Sequence, residues 1–329
     1  MGGGLRVDIA ESQKGWIFVD NLTRDLFLND LAKNAIVHPP PYALEATAYL
    51  SYTIVSSMAI YQGFYGLKEA PFNVTSDPNF LYLSRHHQEA YSHLAYGIQE
   101  RKGFLQLTGD IGTGKTTLCR AFLNRLDHQV KTAFILNPNL SPIQLLQAIV
   151  DDLGLPSKRR TRMDLMKTLN QFLIEQSHQG GNVVLIIDEA QNLSPQTLEQ
   201  IRLLSNFETE KEKLFQIVLV GQPELRQKLE DHTLRQLKQR IGVRYHIQPL
   251  SEEEVGGYIH YRLSIAGSEG KVLFPRRSLD LIYRYSRGVP RLINQLCDKT
   301  LLAGYVYETF EIAPELVKRC IQELENKTV

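Results

Sequence analysis

The feature that most constrains the fold is the apolar run VVLII within the segment NVVLIIDEA, residues 182–190. A strand with one solvated face alternates apolar and polar residues, whereas a strand that is covered on both faces is apolar throughout. The segment therefore predicts a central strand of a parallel sheet with helices on both sides. Residues 104–109 (FLQLTG) and 214–221 (LFQIVLVG) have the same character.

Helical segments separate these strands, and this alternation is typical of a parallel α/β sheet with right-handed crossovers. Further strands are predicted at residues 132–137 and 243–248. Helices are predicted at residues 85–101, 116–126, 141–154, 164–176 and 194–207. Ser141-Pro142 and Ser194-Pro195 supply the N-cap and first helical residue of two of these helices.

The strand pattern ends near Pro249, and four amphipathic helices are predicted beyond it. These helices cover residues 251–263, 278–286, 290–306 and 313–324. We therefore predict an α/β core over residues 58–250 and a small all-α domain over residues 251–329. Residues 1–57, which show no repeating pattern, are predicted to be an atypical N-terminal extension.

The segment GDIGTGKTT lies between a predicted strand and a predicted helix, and it matches the phosphate-binding pattern GxxxxGK[ST] in the context that this pattern requires. Glycines let backbone N–H groups curl around phosphate oxygens, and the helix N-terminus adds its dipole. Lys115 is predicted to neutralise charge on the β- and γ-phosphates. The predicted phosphate-binding residues are Gly109, Asp110, Ile111, Gly112, Thr113, Gly114, Lys115, Thr116 and Thr117.

Two carboxylates, Asp188 and Glu189, end the central apolar strand. Side chains at the carboxyl end of such a strand face the ligand crevice of an α/β sheet. We predict that Asp188 and Thr116 hold Mg²⁺, with Asp188 acting directly or through water. Glu189 is predicted to polarise the water that attacks the phosphate. The alternative is an acidic helix N-cap, which is common at strand–helix turns.

Gln222 follows another apolar strand, in the segment VGQPEL. Its amide is predicted to contact the γ-phosphate or the attacking water. The alternative is an ordinary turn residue ahead of a helix that begins at Pro223.

Three arginines are candidates for stabilising phosphate charge. Arg240 is the favoured arginine finger, donated by a neighbouring subunit, and Arg235 is the reserve candidate. For both, the alternative is a solvated helix face. Arg291 is predicted in the first turn of a helix, where a cation opposes the helix dipole unless an anion is bound. This position favours a phosphate contact; the alternative is a surface arginine paired with Asp298 or solvent.

Charge and polarity indicate whether nucleic acid or a membrane is an expected partner. The formal net charge is +1, so no global field points to nucleic acid or to an anionic membrane. The basic stretches at residues 157–162 and 276–277 are not interleaved with aromatics, which favours solvated loops over DNA contacts. Residues 42–61 are the one candidate membrane segment, but their polar side chains favour a packed or poorly ordered extension.

Three scattered cysteines, Cys119, Cys297 and Cys320, include no CxxC pair. They are predicted to be buried thiols of a protein in a reducing compartment. His86 and His87 have no partners at metal-ligand spacing, so no metal site is predicted there.

The ordered set of motifs resembles AAA+ ATPases and, more narrowly, the general secretion pathway protein A (ExeA/GspA) family, including MshM-like proteins of MSHA pilus biogenesis. The resemblance covers roughly residues 58–325 and includes linkers as well as motifs. The matching stretches are FYGLKEAPFNVTSDPNFLYLS, GDIGTGKTTLCR, LNPNLSP, VVLIIDEAQNLSPQTLEQIRLLSNFET, QIVLVGQPEL and GVPRLINQLCD.

The resemblance implies a P-loop NTPase (AAA+) core with a helical lid, which binds ATP and Mg²⁺. It implies that the Walker A residues are Gly114, Lys115 and Thr116, and that the Walker B residues are Asp188 and Glu189. It also implies that Gln222 is sensor 1, Arg240 an arginine finger and Arg291 sensor 2.

For function, the resemblance implies an ATPase that assembles or switches a secretion or pilus machine. It also implies homo-oligomers with ATP sites between subunits, in the cytoplasm or peripherally at the inner membrane. One alternative is a DNA-associated regulator like the TniB-type transposition ATPases. The other is a non-hydrolysing nucleotide-gated scaffold, which the presence of Lys115, Asp188 and Glu189 disfavours.

Two departures from the family are expected to matter. Its longer members continue into a membrane helix and a periplasmic peptidoglycan-binding domain, so the short members are the closer match. Similar proteins begin near the position of Met58, so residues 1–57 are predicted to be a mis-called start or a non-homologous extension.

Overall fold

The computed structural model divides the chain into two units, residues 1–60 and 61–329. It describes residues 60–127, 129–136, 138–156, 161–209 and 212–325, and the backbone of residues 10–12 and 15–17. In the first unit, strands β1 (Ala10–Ser12) and β2 (Gly15–Ile17) form an antiparallel pair. Apart from these strands, the predicted extension lies outside the described residues, as does nearly all of the candidate membrane segment. The predicted domain boundaries stay predictions.

The second unit contains a five-stranded sheet in which every neighbouring pair is parallel, as predicted. The order across the sheet is β4-β5-β6-β3-β7. Its strands are β3 (Phe104–Gly109), β4 (Val130–Ile135), β5 (Asn182–Ile187), β6 (Gln216–Gly221) and β7 (Ile241–Ile247).

The described helices alternate with these strands and then continue without strands. Those before and within the sheet region are α1 (Gln62–Tyr65), α2 (Arg85–Gln99), α3 (Lys115–Leu123), α4 (Pro142–Asp152), α5 (Arg162–His178), α6 (Pro195–Leu204), α7 (Pro223–Leu229) and α8 (Arg235–Arg240). Those after the sheet are α9 (Glu252–Ile265), α10 (Arg276–Ser286), α11 (Pro290–Val306) and α12 (Pro314–Leu324).

The predicted helix starts at Ser141 and Ser194 are confirmed. The Ser141 side chain accepts from the backbone N–H of Gln144, and the Gln144 side chain accepts in return from the N–H of Ser141. Ser194 accepts from the N–H of Thr197. These side chains satisfy backbone donors that a helix N-terminus leaves without partners.

The apolar sequence of the central strand β5 is explained by helices that cover both faces of the sheet. Val183, Leu185 and Ile187 belong to the core on one face of the sheet, with residues of α4, α5 and α6. Val184 and Ile186 belong to the core on the other face, with residues of α2 and α3. Successive strand residues point to opposite faces, so a strand that is covered on both sides buries every side chain.

Within the described residues, no helix has the length and apolar character needed to cross a membrane. Cys119, Cys297 and Cys320 are free and buried, as predicted. Burial raises the pKa of the Cys320 thiol to about 11. Of the basic stretches, residues 157–160 lie outside the described residues, and Arg276 forms ion pairs with Glu252 and Asp280.

Candidate functional site

The loop between β3 and α3 takes a backbone conformation that only glycine adopts readily. Gly112 and Gly114 have φ angles of 82° and 89°, in the left-handed region. At Gly109 space is the constraint, because a Cβ there would lie 2.9 Å from the carbonyl oxygen of Ile247. Gly114 caps the N-terminus of α3. The glycines of the predicted motif therefore shape a tight loop whose backbone N–H groups lie at the start of a helix.

Lys115 is buried at the base of this loop, with 5% of its surface exposed. Its Nζ donates to the carbonyl oxygens of Gly109 and Asp110, at 2.8 and 2.9 Å. Burial lowers the pKa of Lys115, while the nearby charges of Glu189 and Asp188 oppose that shift. A buried ammonium whose hydrogen bonds go to neutral carbonyl oxygens suits an anionic ligand in this loop.

Thr116 and Asp188 meet where α3 begins and β5 ends. The Thr116 hydroxyl donates to Asp188 Oδ2 at 2.5 Å. Asp188 is 2% exposed, and burial raises its pKa, although the hydrogen bonds from Thr116 and from the Glu189 N–H oppose this. A hydroxyl beside a carboxylate is a donor set that suits Mg²⁺ next to phosphates. The residues predicted to hold the metal therefore lie together.

Glu189 and Gln222 follow different strands but contact one another. The Gln222 amide Nε2 donates to Glu189 Oε2 at 3.1 Å. Strands β5 and β6 are neighbours, so the residues that follow their carboxyl ends lie side by side. The backbone of Glu189 is left-handed, with φ at 52°, which turns the chain sharply after Asp188. The arrangement places a carboxylate and an amide at one wall of the pocket.

Helix α11 packs directly on the phosphate loop. It begins at Pro290, so Arg291 lies in its first turn, as predicted. The Arg291 N–H donates to the Gly112 carbonyl oxygen at 3.2 Å, and its side chain lines the pocket. Asp298, the alternative partner of Arg291 in the sequence-based prediction, accepts a hydrogen bond from the Tyr61 hydroxyl.

Arg235 and Arg240 do not line the pocket of their own chain. Arg240 donates to Ser205 Oγ at 2.5 Å and to Asn206 Oδ1 at 2.7 Å, and Arg235 is exposed. The sheet topology explains the separation. Arg240 precedes β7, whereas the phosphate loop follows the carboxyl end of β3, the parallel neighbour of β7. The two ends are about 20 Å apart at a rise of about 3.3 Å per residue. A finger role therefore needs a second chain and stays a prediction.

His87 lines the pocket, although the sequence motifs did not predict it as a site residue. Its Nε2 lies 2.9 Å from the carbonyl oxygen of Thr113, and its Nδ1 lies 2.6 Å from Ser84 Oγ. A carbonyl oxygen only accepts, so Nε2 carries the proton and donates it to the loop. Burial lowers the pKa of His87, which favours the neutral ring. The only sequence signal is a histidine one turn into a helix that Ser84 caps.

Arg262 was also not predicted, and it holds a segment that lines the pocket. Its Nε donates to the Pro71 carbonyl oxygen at 2.5 Å, and its Nη2 donates to that of Asn73 at 3.2 Å. The guanidinium lies 4.7 Å from the ring centroid of Phe80. Residues 74–76 and 80–82 then line the pocket beside Tyr258 and Asn294.

The pocket lies between the phosphate loop, this segment and α11. One part of the pocket is cationic and rich in backbone N–H groups, and the other is lined by Phe80, Leu81 and Tyr82. The pocket therefore suits an elongated ligand with an anionic end and a flat, less polar end.

Comparison with known proteins identifies the core. Residues 98–229 match the model of the AAA domain. The chain contains an AAA domain. It is also 44% identical over 254 residues, 77% of its length, to General secretion pathway protein A of Aeromonas hydrophila. The predicted resemblance is therefore confirmed. The chain spans about half the length of that relative, since the match covers 46% of it.

Solved structures confirm the predicted fold, a P-loop NTPase sheet of the AAA type followed by a helical region. The ORC2 protein of Aeropyrum pernix, solved as ADPNP-ADP complexes, matches with a TM-score of 0.58 and 17% identity over 79% of this chain and 72% of that chain. Drosophila ORC bound to DNA matches with a TM-score of 0.60 and 19% identity, over 82% and 67%. Cdc6p from Pyrobaculum aerophilum matches with a TM-score of 0.58 and 20% identity, over 74% and 70%.

Proposed function

We propose that this protein is an ATPase that binds ATP with Mg²⁺ in the pocket above the sheet and hydrolyses its terminal phosphoanhydride bond. The observation that carries the proposal is that three groups of side chains meet at one pocket. A buried ammonium, a hydroxyl–carboxylate pair and a carboxylate–amide pair lie at the carboxyl edge of adjacent strands. Phosphoryl transfer needs charge neutralisation, metal binding and an oriented nucleophile.

Each residue has a role in this proposal. The N–H groups of residues 109–117 hold the phosphates, and Lys115 neutralises their charge. Thr116 and Asp188 hold Mg²⁺. When bound, that ion would supply positive charge that stabilises the phosphates.

The remaining side chains act on the attacking water and on the transferred group. Glu189 orients the water and accepts its proton. Gln222 contacts either that water or the γ-phosphate, and Arg291 contacts phosphate from the lid. Arg240 of a neighbouring subunit, with Arg235 as the reserve candidate, completes the site in a homo-oligomer.

We further propose that hydrolysis drives assembly or switching of a secretion or pilus machine from the cytoplasm, freely or peripherally at the inner membrane. Support comes from the identity to General secretion pathway protein A. Capture of a membrane-assembly protein from cell extract only in the presence of ATP would support this role. Salt-dependent DNA binding by the purified protein would instead favour a DNA-associated regulator.

The variant Glu189→Gln tests the hydrolytic role. It keeps the shape of the side chain but removes the proton acceptor, so it should bind ATP as tightly as wild type and release no phosphate. Glu100→Gln, the same change at an exposed position after α2, should hydrolyse ATP normally. Normal turnover by Glu189→Gln would exclude the assigned role of Glu189.

A further inference from the structure

The Gln191 side chain contacts both Glu189 and Gln222, the two residues at one wall of the pocket. Its Nε2 donates to Glu189 Oε2 at 2.5 Å, and its Oε1 accepts from the backbone N–H of Gln222 at 3.1 Å. Glu189 Oε2 also accepts from the Gln222 side chain. A single side-chain amide therefore links the residue that follows β5 to the residue that follows β6.

The end of β6 leaves space for this amide. A Cβ on Gly221 would lie 2.7 Å from Gln191 Oε1, closer than real Cβ atoms approach other atoms. Gly221 is not among the glycines with positive φ, so its backbone conformation does not require glycine. Position 221 is therefore a glycine because the Gln191 amide and the Leu225 side chain occupy the space that a Cβ would need.

The turn that carries Gln191 is held in place by hydrogen bonds from helix α7. Lys228 Nζ, on α7, donates to the carbonyl oxygen of Gln191 and, at 2.9 Å, to that of Leu193. Ala190, between Glu189 and Gln191, is buried. Glu189 itself has a left-handed backbone, which is unfavourable for a residue with a side chain and persists only when its surroundings fix it.

We infer that Gln191 is a positioning residue, which holds the Glu189 carboxylate in the orientation that it needs to accept a proton from water. The inference rests on the proposed ATPase function. With Oε2 held by two amide donors, the carboxylate has one fixed orientation and directs Oε1 away from those donors. Gln191 is not among the residues that line the pocket, so it acts on Glu189 and not on the nucleotide.

The test compares variants of Gln191 in the full chain. Gln191→Glu keeps an acceptor for the Gln222 N–H but replaces the donor to Glu189 with a carboxylate oxygen, and Gln191→Leu removes both contacts. Each should lower the turnover number by about 10- to 100-fold, because a misplacement of about 1 Å among reacting groups costs up to about 100-fold. Affinity for a fluorescent ATP analogue should stay within about twofold of wild type, because uniform binding is unaffected.

The matched control is Gln196→Glu, which makes the same change on the exposed surface of α6 and should leave turnover unchanged. Gly221→Ala gives a second test, since its methyl group would displace the Gln191 amide and should lower turnover in the same direction. If Gln191→Leu does not fold, as judged by thermal unfolding, Gln191→Glu and Gly221→Ala decide the question.

The outcomes separate the inference from the proposed function. Turnover of the Gln191 variants near the wild-type rate would overturn the inference while the ATPase proposal stands. A loss of ATP affinity that matches the loss of turnover would also overturn it, because the role would then be structural. A wild-type protein that hydrolyses no ATP would overturn the proposed function, and the inference with it.

Discussion

The phosphate loop and helix α8 both carry cations predicted to act on phosphate, but their surroundings differ. Lys115, in the loop, is buried and contacts the carbonyl oxygens of two other motif residues. Arg240, at the end of α8, contacts Ser205 and Asn206, which have no predicted role. The loop forms its site within one chain, whereas the finger role predicted for Arg240 needs a second chain.

Strand topology accounts for the difference. Strands β3, β5 and β6 lie next to one another and end at the same edge of the sheet. Residues that follow them must meet there, however far apart they are in sequence. Arg240 precedes a strand and so lies at the opposite edge. Variants that affect the two regions differently can test this comparison.

The largest effect is expected from Lys115→Ala. It removes the buried ammonium from the loop, and the loss of a charged, desolvated hydrogen-bond donor weakens ligand binding by about 2–3 kcal/mol or more. Nucleotide binding should therefore fall below detection in a titration with fluorescent ATP analogue. Lys131→Ala, at an exposed position on β4, is the control and should bind normally. Binding by Lys115→Ala within about threefold of wild type would contradict the assignment.

Arg240→Ala should lower turnover by about 100-fold or more if Arg240 is the finger, while ATP affinity is kept. Because Arg240 would act in a neighbouring subunit, mixing Arg240→Ala with Lys115→Ala should restore measurable turnover. In the mixture, an intact pocket on one subunit meets an intact arginine on the other. Arg235→Ala should hydrolyse ATP normally.

If Arg235→Ala loses turnover instead, the reserve candidate is the finger. If mixing restores nothing, Arg240 does not act between subunits. Thermal unfolding provides a further check, since Arg240→Ala loses its contacts with Ser205 and Asn206 and should be destabilised by about 1–2 kcal/mol.

The next effect comes from Gly112→Ala, which tests the packing of α11 on the loop. A Cβ at this position would lie 2.6 Å from the Arg291 Cβ, in addition to the strain of its left-handed backbone. Gly154→Ala is the matched control, because Gly154 is also left-handed but has open space around its Cβ position. The control should lose about 1–2 kcal/mol of unfolding free energy from strain alone.

Gly112→Ala should lose about 1–3 kcal/mol more, from overpacking, and should also bind ATP more weakly. Both quantities can be measured by chemical unfolding and by titration. Equal destabilisation of the two variants would mean that α11 can move away from the loop at no cost in unfolding free energy. The position of α11 would then not depend on its packing against the loop.

Much of the fold was predictable because its signals are local. The apolar run before Asp188 predicts a strand that is covered on both faces, and Ser141 and Ser194 predict helix starts through their own side chains. The ends of the strands were predicted less accurately. The second strand, predicted at residues 132–137, is found at Val130–Ile135, since its pairing with β5 fixes its limits.

The contacts of His87, Gln191 and Arg262 could not be predicted from the sequence. His87 reaches Thr113, and Arg262 reaches Pro71, 191 residues away in sequence. No short pattern encodes such pairs. Gln191 is close to Glu189 in sequence, but its role depends on its contact with Gln222 across the sheet edge.

The smallest expected effect tests how firmly α2 holds the phosphate loop. His87 has its pKa lowered from 6.5, mainly by burial; His86 adds to the shift, while Glu254 and the hydrogen bond to Thr113 oppose it. A pKa that is lower in the folded state means that the unfolded state binds more protons as the pH falls below 6.5. The contribution of His87 to stability is therefore complete above that pH and is lost progressively below it. Between pH 7.5 and 5.5 the loss is at most about 1.4 kcal/mol, because only the final pH unit lies below the ordinary pKa.

His87→Gln removes the titrating group, so its stability should change less than that of wild type over this range. Chemical unfolding at the two pH values measures both changes. Burial also lowers the pKa of His246, but His246 is present in both proteins, so its contribution cancels in the comparison. If wild type and His87→Gln lose equal stability between pH 7.5 and 5.5, the His87 ring does not stay neutral beneath the loop. The loop would then depend on its glycines and on α11, and not on α2.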